Sequence, residues 1–263
     1  MIDGYNNSFT RANNTTVIGT GSKGSYVTSS IVMGDNANVE NTKGSVMIGD
    51  TNSASYVNSS LIAGAKNSIT GTEKTPSASN ILSGVGNTAS AVQHVSAIGS
   101  GNTVNNTTTQ ILGDTNTVSY AALSSVTGSN NTLTGTADNV SSANILDGSG
   151  NTASNVNHVS ALGAVNGVTN ADKTQVLGDR NRATNTNLSQ MFGVNNVLST
   201  TDGAAENAKD IQIGYGNSAI NVQNVTSIGS ANTVLVSKMS QVIGDNRYLS
   251  NVDRSVVIGS ADS

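Results

Sequence analysis

Three features of the sequence predict an all-β solenoid of parallel strands. A unit of two apolar residues, a glycine and usually an asparagine three places on recurs sixteen times. Its spacing is 14 or 15 residues, apart from three intervals of 20, 20 and 21, and it fills the chain. The turn glycines are Gly19, Gly34, Gly49, Gly64, Gly84, Gly99, Gly113, Gly128, Gly148, Gly163, Gly178, Gly193, Gly214, Gly229, Gly244 and Gly259. A fixed short period of this kind overrides the expectation of one or two globular domains for 263 residues and points to a single stacked array.

A second order lies above the first. Every fourth interval is lengthened, so the units fall into four blocks, 16–79, 80–143, 144–209 and 210–263. The stretches Gly86–Val104, Gly150–Val168 and Gly216–Val234 are close copies of one another, which marks duplication of a four-turn block. Residues 1–15 carry no clear copy and are expected to be an atypical N-terminal cap or the start of a fragment cut from a longer array, with Tyr5 and Phe9 closing the open end.

Within a turn, the residue two before the glycine is apolar in all copies but Gln212 and Ser227, and the residue just before it is apolar in most, with Ser83, Thr127 and Asp147 as exceptions. Neighbouring residues of a strand point to opposite faces, so both faces of this first strand want burial. One face fills the inside of the coil. The other needs a partner surface, which a self-associating chain supplies most simply through a closed cyclic interface. The glycine marks a position of positive φ or close approach, as at Gly49, Gly99 and Gly148. Asparagine follows three places later, as at Asn52, Asn102 and Asn151, where it suits a turn and would stack into an amide ladder. An apolar residue five places after the glycine starts a second strand. Fifteen residues are too few for a three-sided coil of hexapeptides, so each turn is expected to be a flattened loop of two strands, and sixteen turns at about 4.8 Å give a rod of roughly 75–80 Å.

Composition narrows the function. Charged residues make up 11% and the net charge is −4 with no basic stripe, which argues against nucleic acid as a partner. No apolar run approaches the length of a membrane-spanning helix, so no direct membrane contact is expected within this chain. The absence of cysteine excludes disulfides, thiolate catalysis and thiolate metal sites. No cofactor, metal site or catalytic constellation is expected. The two histidines, His94 and His158, stand at equivalent block positions without acids spaced to join them, and are expected to be structural unless a threefold assembly gathers them. Asp50, Asp114, Asp179 and Asp245 follow the glycine in the third turn of each block, with Asp35 as an extra; Asx turns on a solvated edge are the plain expectation.

The lengthened intervals, Thr70–Ser79, Thr134–Ala143 and Ser199–Lys209, are the candidate binding loops, because insertions in a solenoid emerge on one face and often carry its recognition. Their candidate ligand residues are Thr72, Glu73, Lys74, Pro76, Asp138, Asn139, Asp202, Glu206 and Lys209.

Copies such as Ser45-Val46-Met47-Ile48-Gly49 and Val95-Ser96-Ala97-Ile98-Gly99, in register over Thr16–Gly259, resemble the YadA-like head repeats of trimeric autotransporter adhesins. The resemblance implies a left-handed parallel β-roll, three chains side by side as a homotrimer, and a place on the bacterial cell surface, held in the outer membrane by a region outside this sequence. It also implies a role in cell adhesion and virulence, the partners being a host receptor, extracellular matrix or another bacterial surface molecule. The family's neck and coiled-coil stalk are not visible in the chain, and its simplest heads do not lengthen every fourth turn. Two other readings follow from a solenoid. An ice-binding face would use Thr88, Thr103, Thr117, Thr132 and Thr152, a rank that breaks at Gly167, Arg182 and Val197. A β-helix carbohydrate-active enzyme or acyltransferase would need longer coils and a cluster of acids, Arg or His that the sequence does not supply.

Overall fold

A computed structural model describes residues 1–201 and 207–260, and every regular element among them is a β-strand. The chain is a parallel β-solenoid of about seventeen turns in two compact units, Met1–Asn130 with nine turn glycines and Asn131–Ser263 with eight. Each strand pairs in parallel with its counterpart one turn on, as Ile81–Val85 does with Ser96–Ser100 and Ile145–Ser149 with Ser160–Ala164.

The array is one turn longer than the glycine count in the sequence. Ile2 and Asp3 pair with Val17 and Ile18, Gly4 takes a φ of +108°, and the Asn7 amide donates to the Gly19 carbonyl at 2.7 Å, as a turn asparagine should. Residues 1–15 therefore form a turn in register. Asp3 in place of an apolar residue hid it. Phe9 fills this turn's second inward position, and Gly24 lies opposite it one turn on, where any Cβ would overlap the Phe9 ring.

Why the glycine recurs is clear at Gly49. Its φ is +106°, and a Cβ there would run into the carbonyl oxygen of Gly64. Conformation and contact both exclude a side chain. The left-handed residue of the following corner is the one two places after the glycine, for example Thr51 at φ +58° or Val165 at +58°, so the asparagine beside it is free for another task.

That task is to satisfy the backbone of its neighbours. Asn67 donates from Nδ2 to the Gly84 carbonyl at 2.8 Å and to the Ala63 carbonyl at 3.0 Å, while Asn52 Oδ1 accepts the Asn67 backbone N–H at 3.0 Å. In the second unit Asn166 and Asn181 repeat the pattern. These amides are fully buried, and leaving one such backbone group unpaired costs roughly 1–3 kcal/mol. Arg247 replaces asparagine in the penultimate turn and still reaches the Gly259 carbonyl through Nε at 2.5 Å.

The expected two-strand loop is too simple. After the second strand the chain makes two further left-handed corners, seven and ten places from the glycine, as at Tyr56 and Ser59 or Asn155 and His158. Between them one side chain turns inward, such as Val57, Val92 or Val156, and the next forms a short third line of parallel bridges, Asn13 to Thr28 to Lys43 in the first unit and Gln223 to Lys238 to Asp253 in the second. The physical reason is volume: two strands alone leave a gap at that edge, and a third inward side chain closes it. The 14-residue interval between Gly99 and Gly113 drops one of these corner residues, and Leu123 on the next turn is left bulged and 81% exposed.

Candidate functional site

Each turn offers solvent a strand face, a glycine edge and the corner carrying the insertions. On the first strand the residue two before the glycine is buried, as Val17, Ile62, Leu82 and Leu146 are. The residues on either side of it face out. In the first unit Ile18, Ile48, Ile98 and Leu112 are 36–55% exposed, and in the second Leu177, Ile213 and Ile243 repeat the line. Ile31, Leu61, Ile81 and Ile145 stand beside them on the same face. Each unit thus presents an apolar strip to solvent. Isolated apolar residues on a surface need no explanation, whereas a continuous strip does.

At the glycine edge the aspartates do something other than close their own turns. Asp35 Oδ1 accepts the Thr20 N–H at 2.7 Å, Asp50 that of Asp35 at 3.2 Å, Asp114 that of Ser100 at 2.8 Å, Asp179 that of Ala164 at 2.8 Å and Asp245 that of Ser230 at 2.7 Å. Each carboxylate ties its turn to the preceding one. They are structural ties on a solvated edge, and among the described residues no group of three His, Asp or Glu side chains comes together to hold a metal ion.

The insertions enter at the corner seven places after the glycine, on the edge away from the glycine turn. The chain regains register at Ser77, which pairs with Val57, and at Ser142, which pairs with Asn157. The first two loops share one construction. Ser77 Oγ and Ser141 Oγ donate to the carbonyls of Thr70 and Thr134, closing each base. At the tips, the Thr72 and Thr136 N–H groups donate to the carbonyls of Thr75 and Asn139 at 3.0 and 2.9 Å. Thr72, Glu73 and Lys74 lie exposed on the first tip with Pro76 half-buried at its base, and Asp138 and Asn139 lie exposed on the second. Lys209 is exposed in a left-handed corner at φ +61°. Asp202 and Glu206 lie outside the described residues. Of the nine candidates, Asn139 joins other side chains around a hollow. With Asn155, Asn157, Asn170 and Asp172 it lines a concavity of about 310 Å³ whose floor is the buried pair Ala171 and Thr186.

The histidines sit at equivalent corners, both at φ +54°. His158 Nδ1 lies 3.4 Å from Asp172 Oδ1, and Lys173 Nζ 3.2 Å from Asp172 Oδ2, at the rim of the same concavity.

One acidic group is missed by sequence patterns. Asp210 is buried at the position where the other lengthened turns carry Asn80 and Asn144. Those amides accept the N–H of Val95 and Val159 at 3.0 Å and donate to the carbonyls of Val92 and Val156. Asp210 Oδ1 accepts the Val225 N–H at 2.8 Å, but its Oδ2 is enclosed without a hydrogen-bond partner. Burial pushes this carboxyl from the usual 3.8 up to about 7, against the smaller opposing pull of the Val225 N–H. Alignment of the lengthened turns would have exposed it.

No protein-family description matches the chain, and no curated protein matches it. Among solved structures, the polySia-specific acetyltransferase NeuO is aligned over 99% of this chain and 81% of its own, at 10% identity and a TM-score of 0.12. A likeness that small carries no inference about activity.

Proposed function

We propose that this chain is the head of a bacterial surface adhesin, a left-handed β-roll that stands side by side with two further copies and holds host or neighbouring-cell molecules through a long repetitive surface. The observation that supports the reading most is the apolar strip of each unit, which includes Ile18, Ile48, Ile98 and Leu112 in one and Leu177, Ile213 and Ile243 in the other. Burying such a side chain fully contributes about 1.5–3 kcal/mol, so a strip of them drives association strongly. Closed cyclic assembly covers the strip on every copy at once, and the resemblance of the repeats to YadA-like heads favours three copies. Three parallel surfaces also turn weak single contacts into firm attachment. Cell adhesion needs no catalytic constellation.

Light scattering across a dilution series tests the assembly. The expected result is a stable species of three times the 26.5 kDa chain, and a well-folded monomer at all concentrations would overturn the reading. Ile48→Asp with Leu177→Asp is expected to lower the mass while the β-sheet circular dichroism persists, since both side chains point away from the coil interior. Adhesion itself is read from beads coated with the protein, which are expected to attach to host or bacterial cells.

A further inference from the structure

We infer that the concavity beneath the second insertion is a saccharide-binding site, in which Asn139, Asn155, Asn157, Asn170 and Asp172 recognise the hydroxyl groups of a neutral sugar. The inference deepens the adhesin reading, on which it rests for its biological setting, by naming the ligand class and the place.

The first support comes from the duplicated blocks. The positions of Asn139, Asn155, Asn157, Asn170 and Asp172 correspond, one block earlier, to Thr75, Ala91, Gln93, Asn106 and Thr108. Four of the five differ, and each of the four is Asn or Asp in the later block. The solenoid does not require the change at Asn155, since the earlier block makes the same corner with left-handed Ala91. Divergence from a template that already folds, gathered around one hollow, is what a binding role would produce.

The second support is an open hydrogen-bonding chain. Asn155 Nδ2 donates to Asn170 Oδ1 at 3.4 Å, Asn170 Nδ2 to Asn185 Oδ1 at 3.1 Å, and Asn185 Nδ2 to the Thr200 carbonyl at 3.1 Å. Asn155 Oδ1 heads this chain and has no donor of its own. That oxygen is enclosed, so a ligand hydroxyl reaches it once the Asn155 side chain turns toward the hollow. Carboxamides offer donor and acceptor side by side, matching a sugar hydroxyl, which is both.

Other ligand classes fit worse. A divalent cation wants six to eight oxygens with surplus negative charge. The one carboxylate here, Asp172, already faces Lys173 and His158. A phosphate would meet that same carboxylate. An apolar peptide anchor would find a floor of Ala171 and Thr186 alone. At about 310 Å³ the hollow lies at the small end of ligand sites, which run to roughly 300–1,000 Å³, and suits a short saccharide.

The experiment substitutes the earlier block's residues into the site: Asn139→Thr, Asn155→Ala, Asn157→Gln and Asp172→Thr together. Thr75, Ala91 and Gln93 stand at the matching positions of a complete turn one block earlier, so folding is expected to survive, with a small fall in melting temperature from the lost Asn157–Ser142 and Asp172–Lys173 contacts. Wild-type protein is passed over an array of neutral and sialylated oligosaccharides, and the best-retained sugar is titrated by calorimetry against both proteins. Retention of a neutral saccharide, weakened at least about tenfold in the four-residue variant, is the expected result. Retention of no saccharide, or equal affinity in the variant, would overturn the assignment. Coated beads separate this from the wider reading: if wild-type and variant beads attach to cells equally, adhesion stands and the concavity is not its site.

Discussion

The two units build the same coil around different interiors. In Met1–Asn130 the inward residue of the first strand is apolar in every turn from Val17 to Val126, including Met47, Ile62, Leu82 and Ile111. In Asn131–Ser263 the same column runs Leu146, Ala161, Val176 and Met191 and then turns polar at Gln212 and Ser227, with buried Asp210 at the adjacent corner. Asp210 Oδ2, Gln212 Oε1 and Ser227 Oγ all lack partners. Gln212 does donate from Nε2 to the Val197 carbonyl at 2.9 Å, yet one end of its amide is unmatched. The backbone register is nonetheless the same, with Ile211–Tyr215 paired residue for residue to Thr226–Ser230. The glycine line and the asparagine ladder therefore hold the coil, while core side chains set how much stability is left over.

A shared scaffold requires the glycine line to matter equally in both units. Gly99→Val in the first unit and Gly178→Val in the second both place a side chain against the next turn's carbonyl oxygen at positive φ, at +128° and +119°. Losses above about 4 kcal/mol are expected at each, enough to unfold the neighbouring turns. Amide hydrogen exchange reads this locally, which suits a repeat array whose turns need not melt together. Strong loss at Gly99 and tolerance at Gly178 would mean that the units do not share one source of stability.

Asp210 gives the next largest effect, and its sign follows from linkage. The folded state holds the proton up to about pH 7, whereas the unfolded chain releases it near 3.8. Stability therefore falls as pH rises between those values and levels off above the upper one. At 1.36 kcal/mol per unit the accumulated loss is on the order of 4 kcal/mol. Asp210→Asn restores the amide of Asn80 and Asn144, so the variant is expected to melt higher than wild type, by a margin that widens from pH 4 to pH 7 and then stays constant. A margin independent of pH would show that the carboxyl is not strained in the fold.

Glycine and asparagine made the architecture legible because each does a task that no other residue does as well. Gly49 must both turn and make room, and the Asn67 side chain must donate to two carbonyls and accept two N–H groups from Asn87. The left-handed corners were not legible. Tyr56, Asn155, Lys173, Leu188 and Val236 all adopt them, so residue type carries no signal there, and the third bridge line between the corners stayed hidden. The aspartates after the glycines gave the right position and the wrong bond, since a side chain that reaches back 15 residues looks local in sequence. The concavity was half legible: the insertion drew attention to Asn139, but asparagines facing it from later turns do not stand out in a chain so rich in them.

Gln212→Leu with Ser227→Ala makes the second unit's inward column apolar, as in the first, and removes two enclosed oxygens that lack partners. Removing an unsatisfied buried group recovers part of its desolvation cost, so a gain of roughly 1–2 kcal/mol is expected, partly offset because the Val197 carbonyl loses the Gln212 donor. The gain belongs to local opening of the turns at Gly214 and Gly229 and should appear in their exchange rates before it appears in the melting of the whole chain. If exchange in these turns quickens instead, the polar pair is matched inside the coil by bound water. The two interiors would then be equally well satisfied by different means.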